Sequence, residues 1–396
     1  MTDFRRAGHT PSLVAALLHF DVSFMIWVIL GALGAYIAED LGLSASQKGV
    51  LVAVPLLSAA VARVTFGILA DRFGPRRIGT ISMLIAIVPL LWGWLGATTP
   101  SQLMGVGILL GVAGASFAIS LPLASRWYPP QYQGLAMGIA GAGNSGTVAC
   151  ALLAPRIAEQ IGWHQTMGLA AIPAVLVLIA FRFLAKEPPA PAKRLTLRAF
   201  GEMLGENDTW RLCALYAVTF GGFVGLSSFL PIFFHDQYGL SKVDAATLAA
   251  IGGAAGSFVR PFGGHLADRF GGTRVLTFVY GLVAPLLLIL SGMPSLTVAA
   301  IGFPVVMGVL GFGNGAVFQL VGLRFRARIG VITGLVGAAG GLGGFMLPMA
   351  LGGLHDSMGG YGAGLTLVAL VTLAAFIGVG VLRPVWRRGW AAEAPV

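Results

Sequence analysis

The sequence predicts an all-α membrane protein whose twelve transmembrane helices form two pseudo-symmetric six-helix bundles. Three observations support this prediction: long apolar runs recur along the whole chain, basic residues alternate with those runs, and the second half repeats features of the first. Of the 396 residues, 57% are hydrophobic and only 10% are charged, whereas soluble domains have about 25% charged residues. Water is therefore not the main solvent of this chain.

The apolar runs are about twenty residues long, which is the length a helix needs to cross the roughly 30 Å hydrocarbon core of a bilayer. Open strands are excluded because lipid offers no partner for unpaired backbone groups, and the runs lack the alternating polar pattern of a β-barrel. The predicted spans are residues 14–37, 48–70, 78–97, 102–124, 135–158, 166–184, 211–234, 245–267, 275–292, 297–320, 330–353 and 361–382.

The Lys and Arg residues predict the orientation of these spans. With the N-terminus inside, twenty of the 25 fall on the inner side, and only Lys48, Arg156 and Lys242 fall in the opposite loops. Because basic residues stay on the cytoplasmic side, we expect a multi-pass protein of the cell (inner) membrane with both termini in the cytoplasm. The net charge of +10 is then a topology signal and a source of contacts with the lipid bilayer, and no nucleic-acid partner is expected. The basic N-terminus leads into a full-length span, so no removable signal peptide is predicted.

The chain divides into two halves at its one long polar segment. The stretch Glu187-Pro188-Pro189-Ala190-Pro191 favours an extended linker. We therefore predict an N-terminal six-helix bundle over residues 1–185, a cytoplasmic linker over 186–209, and a C-terminal six-helix bundle with a short cytoplasmic tail over 210–396. The halves match at a constant offset of 197 residues. Two such bundles are typical of a carrier, whose substrate site lies at their interface near the bilayer midplane.

The longest repeat is Gly-x-Leu-Ala-Asp-Arg-x-Gly-x-x-Arg, which runs from Gly67 to Arg77 and again from Gly264 to Arg274. This sequence resembles the loop motif of the major facilitator superfamily, and the resemblance covers the whole chain. It implies the twelve-helix fold and a working monomer. It also implies gating and topology roles, and no contact with cargo, for the loop residues Asp71, Arg72, Asp268 and Arg269.

Two arginines stand alone inside predicted spans. Arg63 and Arg260 are related by the repeat, and each precedes its loop aspartate by eight residues, which places it about 12 Å into the membrane. An arginine at that depth costs about 2.5 to 3.5 kcal/mol on insertion scales, so it marks a functional site. The planar guanidinium fork suits flat oxyanions, and the pair predicts an anionic cargo. The alternative is a structural ion pair with Asp21, the one clear intramembrane carboxylate, together with backbone carbonyls.

Glycine-rich segments occupy repeat-related places in spans five and eleven, beginning at Gly138 and Gly334. Small residues let helices approach closely, which alone accounts for the glycines. The same account does not cover Asn144, whose amide can donate to an anion or to a neighbouring helix.

At this point the residues resemble a narrower family, the nitrate/nitrite porters of the major facilitator superfamily. Gly143-Asn144-Ser145-Gly146 and the segment from Gly337 to Phe345 look like that family's paired nitrate signatures, and Arg126-Trp127-Tyr128-Pro129 and Gly313 to Gln319 extend the match. The resemblance implies that nitrate or nitrite is the substrate. It further implies a substrate site composed of Arg63, Arg260, Asn144, Tyr216, Phe117, Phe220, Gly143 and Gly340. In this site the arginines clamp the anion, Asn144 and Tyr216 hydrogen-bond it, and the two phenylalanines close on its faces; ordinary core packing is the alternative for Tyr216, Phe117 and Phe220.

Nitrate/nitrite exchange by alternating access is the expected mechanism, because returning two buried cations without an anion is costly. Proton-coupled symport is the alternative, with Asp21, and less so His19, as the candidate proton carrier. Formate, oxalate or a drug is the alternative cargo, although drug exporters usually combine a wide apolar cavity with an acid. A nitrate sensor is disfavoured by the lack of a soluble signalling domain.

An enzyme is not expected, because the sequence shows no nucleophile–base pair, no metal-ligand spacing and no phosphate-binding loop. No cofactor and no metal site are predicted, and His164, His235, His265 and His355 are isolated. Cys150 and Cys213 fall within or at the edge of spans, where they are interpreted as packing residues.

Overall fold

The computed structural model describes residues 2–189, 197–325 and 329–389, and every regular element in these ranges is a helix. Parts of the predicted linker, of the loop after span ten and of the C-terminal tail lie outside the described residues. The spans, numbered in chain order, are span 1 (Thr10–Trp27, Ile29–Ala32 and Gly34–Leu41), span 2 (Ala45–Phe73), span 3 (Pro75–Leu95), span 4 (Pro100–Gly114 and Phe117–Ser125), span 5 (Pro130–Gly141, Ala142–Ser145 and Gly146–Ile161), span 6 (Trp163–Leu184), span 7 (Asn207–Tyr238), span 8 (Lys242–Phe270), span 9 (Gly272–Ser291), span 10 (Leu296–Arg324), span 11 (Ile329–Met358) and span 12 (Gly362–Arg388).

Within the described ranges, eleven of these spans are long and apolar enough to cross a membrane. The exception is span 8, which has 29 residues but is rich in glycine and contains Arg260, so its hydropathy is lower. Its length of about 43 Å at 1.5 Å per residue is sufficient. The predicted twelve-helix architecture is confirmed.

Three spans contain interruptions that the sequence analysis did not predict. The prediction of one continuous helix over 14–37 is wrong, because span 1 is broken at Val28 and Leu33. Span 4 is broken at Ala115 and Ser116, and span 5 contains a 3-10 turn at Ala142–Ser145. After Val28, around the break in span 4 and at the 3-10 turn of span 5, some backbone N–H groups bond carbonyls three residues back instead of four. The residues stay small or apolar, so hydropathy gives no sign of the change.

Each half is held together by a matched glycine contact. Gly146 of span 5 lies against the backbone of Asp21 in span 1, and Gly343 of span 11 lies against the backbone of Ala217 in span 7. A Cβ atom at either glycine would overlap a carbonyl oxygen, so only glycine permits this approach. Between the halves, span 2 packs along span 11 and span 5 packs along span 8. The candidate site lies along these two seams.

The bundle has two ends, which are named here by their residues. The motif end contains Asp71 and Asp268, and the lysine end contains Lys48 and Lys242. At the motif end, Asp71 is ion-paired with Arg126, which follows span 4. Its repeat partner Asp268 is exposed and forms no ion pair within the described ranges.

The arginines of the two loop motifs follow the two-fold pattern, whereas the ion pairs of the two halves do not. The guanidinium carbons of Arg72 and Arg269 lie 5.2 and 5.4 Å from the ring centres of their neighbours Phe73 and Phe270. In the C-terminal half it is Asp208, at the start of span 7, that receives Arg324 at the end of span 10, at 2.8 Å. The two copies of the loop motif therefore share their arginine contacts, but within the described residues only Asp71 of the two aspartates forms an ion pair.

Candidate functional site

The two arginines predicted from the sequence lie at equivalent levels of spans 2 and 8, each ten residues before its helix ends. Arg63 is buried, with 2% of its surface exposed, and Arg260 is half-buried. The two guanidinium groups interact electrostatically across the seam between the halves. Neither forms an ion pair within the part of the chain that the structure describes.

Arg63 is fixed by backbone carbonyls from both halves. Its Nε donates to the carbonyl oxygen of Gly114 at 3.0 Å, and its Nη1 donates to that of Gly337 at 2.8 Å. Its Nη2 is buried and has no partner among the described residues. A buried, charged N–H group without an acceptor is costly. The side chain is thus oriented, and one of its donors remains available.

The break in span 4 explains why Gly114 can accept this hydrogen bond. In a continuous helix the N–H of Ala118 would bond to the Gly114 carbonyl. Here it bonds to the carbonyl of Ala115 instead, at 2.9 Å, so the oxygen of Gly114 is free for Arg63. An interruption in one helix therefore positions the charge on another.

Arg260 is held more loosely. Its Nη2 donates to the hydroxyl of Tyr216 at 3.3 Å, which is a long hydrogen bond to a neutral group. Its guanidinium carbon lies 5.9 Å from the ring centres of both Phe117 and Phe318. Most of its donors have no acceptor among the described residues.

Aromatic rings line both arginines. Phe220 stacks on Tyr216 with ring centres 5.1 Å apart, and the guanidinium carbon of Arg63 lies 5.1 Å from the Phe220 ring. The sequence analysis missed two further rings, Trp27 and Phe318. Trp27 lies 5.0 Å from the guanidinium carbon of Arg63 and donates to the Pro55 carbonyl at 2.9 Å, which fixes the indole.

Phe318 connects the predicted aromatic residues of the two halves. Its ring lies edge-on to Tyr216 at 5.0 Å and tilted to Phe117 at 6.3 Å. Phe318 belongs to the segment Gly313 to Gln319, so the family resemblance had marked the segment without giving this residue a role. Aromatic faces attract cations at these distances, which helps to hold two like charges in an apolar surround.

Asn144 lies in the 3-10 turn of span 5 and is buried. Its amide nitrogen donates to the hydroxyl of Ser257 in span 8 at 2.6 Å, whereas its amide oxygen has no partner among the described residues. Ser257 precedes Arg260 by three residues and so shares its helix face. Of the two interpretations that the sequence left open for Asn144, a bond to a neighbouring helix is present in the structure.

Asp21 does not neutralise either arginine. Its carboxylate accepts a hydrogen bond from the hydroxyl of Ser145 at 2.7 Å and another from the backbone N–H of Gly146. The alternative of an arginine ion-paired with Asp21 is therefore wrong, although its second part, arginine bonded to backbone carbonyls, holds for Arg63. The carboxylate is used to fasten the 3-10 turn to span 1.

The two predicted glycines lie at helix contacts near the site. A Cβ atom on Gly340 would stand 2.7 Å from Tyr216 and 2.8 Å from Phe220, so its lack of a side chain makes room for those two rings. Gly143 lies against the backbone of span 1, where a Cβ atom would stand 2.8 Å from the Asp21 nitrogen. Both glycines position other residues of the site.

His19 lies away from the arginines. Its ring is buried within the N-terminal half and bonds to Ser120 at 2.9 Å and to the Gly79 carbonyl at 3.2 Å. These bonds connect span 1 to spans 3 and 4. Within the described ranges, no group of three or more His, Cys, Asp or Glu side chains could hold a metal ion.

The arrangement has the properties of a site for a small flat anion. It offers two positive charges from opposite halves, several N–H donors that have no acceptor among the described residues, and aromatic rings beside both guanidinium groups. Charge-assisted hydrogen bonds from guanidinium to an oxyanion are about twice as strong as bonds between neutral groups. An anion between the two arginines would also relieve their mutual repulsion.

Comparisons with known proteins show the family to which the chain belongs. Residues 15–348 match the Major Facilitator Superfamily. The "Nitrite extrusion protein" of Bacillus subtilis is 32% identical over 360 residues, which are 91% of each chain. The "Probable nitrate/nitrite transporter NarK2" of Mycobacterium tuberculosis is 34% identical over 384 residues, 93% of this chain and 95% of the other. The "Probable nitrate transporter NarT" of Staphylococcus haemolyticus is 32% identical over 369 residues, 92% of this chain and 94% of the other.

Solved structures show the same fold at lower identity. A bacterial homologue of the human lysosomal transporter Spinster superimposes with a TM-score of 0.73 at 20% identity, covering 98% of both chains. The family match spans both halves, and the relatives named above align over nearly the whole chain. The protein is thus a multi-pass membrane transporter that belongs to the Major Facilitator Superfamily and, within it, to the family of nitrate/nitrite porters.

Proposed function

We propose that this protein carries nitrate or nitrite, or exchanges one for the other, across the cytoplasmic membrane by alternating access of the site between Arg63 and Arg260. It acts as a monomeric carrier without enzymatic chemistry. The motif end faces the cytoplasm, because the basic residues concentrate there and such residues are retained on the cytoplasmic side. The curated relatives named for nitrate or nitrite support the choice of cargo.

The observation that best supports this proposal is the unpartnered Nη2 donor of buried Arg63. Its Nε and Nη1 are bound to carbonyls, so the two N–H bonds of Nη2 are fixed in direction. A trigonal oxyanion can accept from this group and from Arg260 at once, since its oxygens lie in one plane. The surrounding aromatic faces suit a flat, weakly hydrated ion better than a tetrahedral one.

Exchange follows from the charges of the site. When the cargo leaves, two guanidinium groups remain in a mostly apolar surround without a carboxylate among the described residues. Closing the halves in that state would bury two uncompensated like charges, which is unfavourable. Binding of a second anion removes this barrier, so the loaded carrier changes between its two access states faster than the empty carrier does. In the proposed cycle, nitrate entering in one direction is matched by nitrite leaving in the other.

The experiment is counterflow in liposomes containing the purified full-length chain and loaded with nitrate, nitrite, chloride or formate. We expect labelled nitrate to enter only against internal nitrate or nitrite. Arg63→Lys and Arg260→Lys should each reduce the rate at least tenfold, because a charge-assisted hydrogen bond contributes about 1.5–3 kcal/mol. Arg274→Lys is the matched control, since Arg274 lies exposed at the motif end, where it donates to the carbonyl of Phe270 in its own half.

Three results would contradict the proposal. Nitrate uptake by both site variants at the rate of the unmodified chain would show that the guanidinium fork does not bind the cargo. Faster exchange of formate or oxalate than of nitrate would identify a carboxylate carrier on the same fold. Rapid uptake into empty liposomes, driven by a pH gradient, would replace exchange by proton symport.

A further inference from the structure

The loops of the lysine end contain a second internal repeat at the same offset of 197 residues. The repeat-related pairs are Glu39 with Asp236, Gly42 with Gly239 and Ser44 with Ser241. Both glycines end their helices in the left-handed conformation, with φ of 61° and 65°, and both serines cap the next helix through their side chains. Glu39 near the end of span 1 and Asp236 near the end of span 7 thus occupy equivalent positions.

Each of these acids is ion-paired with a lysine of the opposite half. Lys48 at the start of span 2 donates to Asp236 at 2.5 Å, and Lys242 at the start of span 8 is paired with Glu39. The pairs are reciprocal: in each, the carboxylate comes from the end of one half's first helix and the lysine from the start of the other half's second. Both pairs therefore cross the seam between the halves.

Neighbouring residues hold both pairs in place. The hydroxyl of Tyr361 donates to Asp236 at 3.0 Å, and the ammonium of Lys242 lies 4.5 Å from the ring centre of Tyr36. A third contact crosses the seam nearby. Asp356 of span 11 accepts hydrogen bonds from the backbone N–H of Ser46 at 2.9 Å and from the hydroxyl of Ser44 at 3.1 Å.

Below these pairs, the halves are tightly packed down to the candidate site. A Cβ atom on Gly49 would stand 2.5 Å from the carbonyl oxygen of Pro348 across the seam. The cavity that separates this layer from the site has space for about one water molecule. Its lining residues include Thr147, Ser227 and Gly253.

Toward the motif end the same helix faces are open. On span 5, Gly138 and Gly141 precede Asn144 at helical spacing, and on span 11, Gly334 precedes Gly337. No described atom lies within 4 Å of where a Cβ would stand on Gly138, Gly141 or Gly334. The hydrogen bonds and ion pairs found between the halves within the described ranges lie at the level of the site or nearer the lysine end.

We propose that Lys48–Asp236 and Lys242–Glu39 form a reciprocal latch that closes the lysine end and must open before the site can communicate with that side. The acids are equivalent under the repeat, whereas the lysines are 194 residues apart and lie three positions out of that register. Because both pairs cross the same seam between the halves, one rocking movement of the halves breaks both together. The latch does not depend on the identity of the cargo. Its test needs no anion, so its failure and the failure of nitrate transport are distinguishable.

The experiment measures access to the small cavity beneath the latch. Ser227→Cys places a thiol there at little steric cost, and its reaction with a polar maleimide is followed in the purified full-length protein in detergent. The two native cysteines are buried, and their background is measured in the same chains without the introduced thiol. Thermal unfolding of every variant verifies that it is folded.

Neutralising both acids, with Glu39→Gln and Asp236→Asn together, should increase the labelling rate of the introduced thiol about three- to tenfold. Each partly exposed pair contributes on the order of a two- to fivefold shift in the equilibrium between closed and open states. Lys48→Asp alone should increase labelling in the same way. The swap of Lys48→Asp with Asp236→Lys restores the pair with reversed polarity and should return labelling to within twofold of the starting rate.

Asp40→Asn is the matched control, because Asp40 adjoins Glu39 but accepts its hydrogen bond from Trp163 of its own half, at 3.1 Å. This variant should label within twofold of the starting rate. The proposal is overturned if neutralising both acids leaves labelling unchanged. It is also overturned if the swapped protein labels as fast as Lys48→Asp alone. The second comparison decides the matter even if the doubly neutralised protein does not fold.

Discussion

The guanidinium group of Arg63 in span 2 donates to the carbonyl oxygen of Gly337 in span 11, 2.8 Å away in the opposite half. One of the two site charges is thus bound to both halves, since its Nε is bound to Gly114 in its own half. Any rearrangement that separates spans 2 and 11 at this level must break the bond to Gly337. Arg63 is therefore both a charge of the candidate site and part of the contact between the two halves.

The packing of span 2 against span 11 beside Arg63 predicts that alanine substitutions at two glycines of span 11 will differ in their effect on nitrate exchange. A Cβ atom on Gly341 would stand 2.9 Å from the Cβ of Ala60 in span 2, whereas one on Gly337 would have only the Cδ of Arg63 at 3.9 Å. Overpacking costs about 1–3 kcal/mol, so Gly341→Ala should reduce nitrate exchange at least fivefold. Gly337→Ala should stay within twofold, measured by counterflow. Equal effects of the two changes would contradict this packing.

Removing the hydroxyl of Tyr216 should leave the guanidinium group of Arg260 less firmly held. Tyr216→Phe keeps the stacked ring but removes the acceptor for Arg260, which corresponds to about 1 kcal/mol, or about fivefold in apparent cargo affinity. We expect the KM of nitrate exchange to increase by that factor while the maximal rate is nearly unchanged. Tyr280→Phe provides the control, because the Tyr280 hydroxyl donates to the Leu215 backbone carbonyl and to neither arginine. If both changes increased KM equally, a specific role of Tyr216 would be excluded.

A comparison of two polar residues decides what Asn144 does. If its amide only links spans 5 and 8 through Ser257, then Asn144→Ala, Ser257→Ala and the double variant should impair exchange equally. We expect Asn144→Ala to be at least fivefold slower than Ser257→Ala, because the amide also hydrogen-bonds the anion. Initial rates of counterflow for the three proteins measure the difference. Three equal rates would reduce Asn144 to a structural role.

Asp21 should be dispensable for exchange. Its carboxylate bonds to Ser145 and to Gly146 and contacts neither arginine. Asp21→Asn retains an acceptor oxygen, so we expect exchange within threefold of the unmodified rate and an unchanged pH dependence between pH 6 and 8. Uptake measured across this range is the test. A loss of pH dependence in this variant alone would make Asp21 a proton carrier.

The network around Asp208 should matter for stability and not for cargo. Its carboxylate accepts from Arg324 and from Trp386 at 2.8 Å, and from Arg211 at 2.9 Å. Breaking a buried ion pair costs about 3–5 kcal/mol, and the amide of Asp208→Asn retains part of the bonding, so we expect about 2 kcal/mol and a lower thermal midpoint. Glu206→Gln, a more exposed partner of Arg324, should change the midpoint little. We expect the KM of nitrate exchange to be unchanged in both variants.

The parts of the fold that depend on polarity could be predicted from the sequence. Apolar length gave twelve spans, and the offset of 197 residues gave two related halves. Arg63 and Arg260 were found because charge inside an apolar run is conspicuous. The same offset relates Glu39 to Asp236, so the acids of the latch had a detectable signal that was overlooked.

The remaining features depend on geometry that polarity does not encode. Breaks at Val28 and Ala115 change backbone hydrogen bonding without changing hydropathy, so the acceptor that Gly114 provides for Arg63 could not be predicted. Trp27 and Phe318 are aromatic residues in an aromatic-rich, apolar chain, and only the structure shows that they lie beside the arginines. Ser257 gave no signal because a single serine is common in membrane helices.

The difference in anchoring between the two arginines has one more consequence. If the two halves were identical in sequence, each bundle would present the same groups to the anion. In the present chain Arg63 is immobilised by two carbonyls, whereas Arg260 rests against one phenol and two rings. In the proposed site, one guanidinium group is therefore rigidly held and the other is free to adjust, so we expect anions of slightly different size to be accommodated without rearrangement of the backbone.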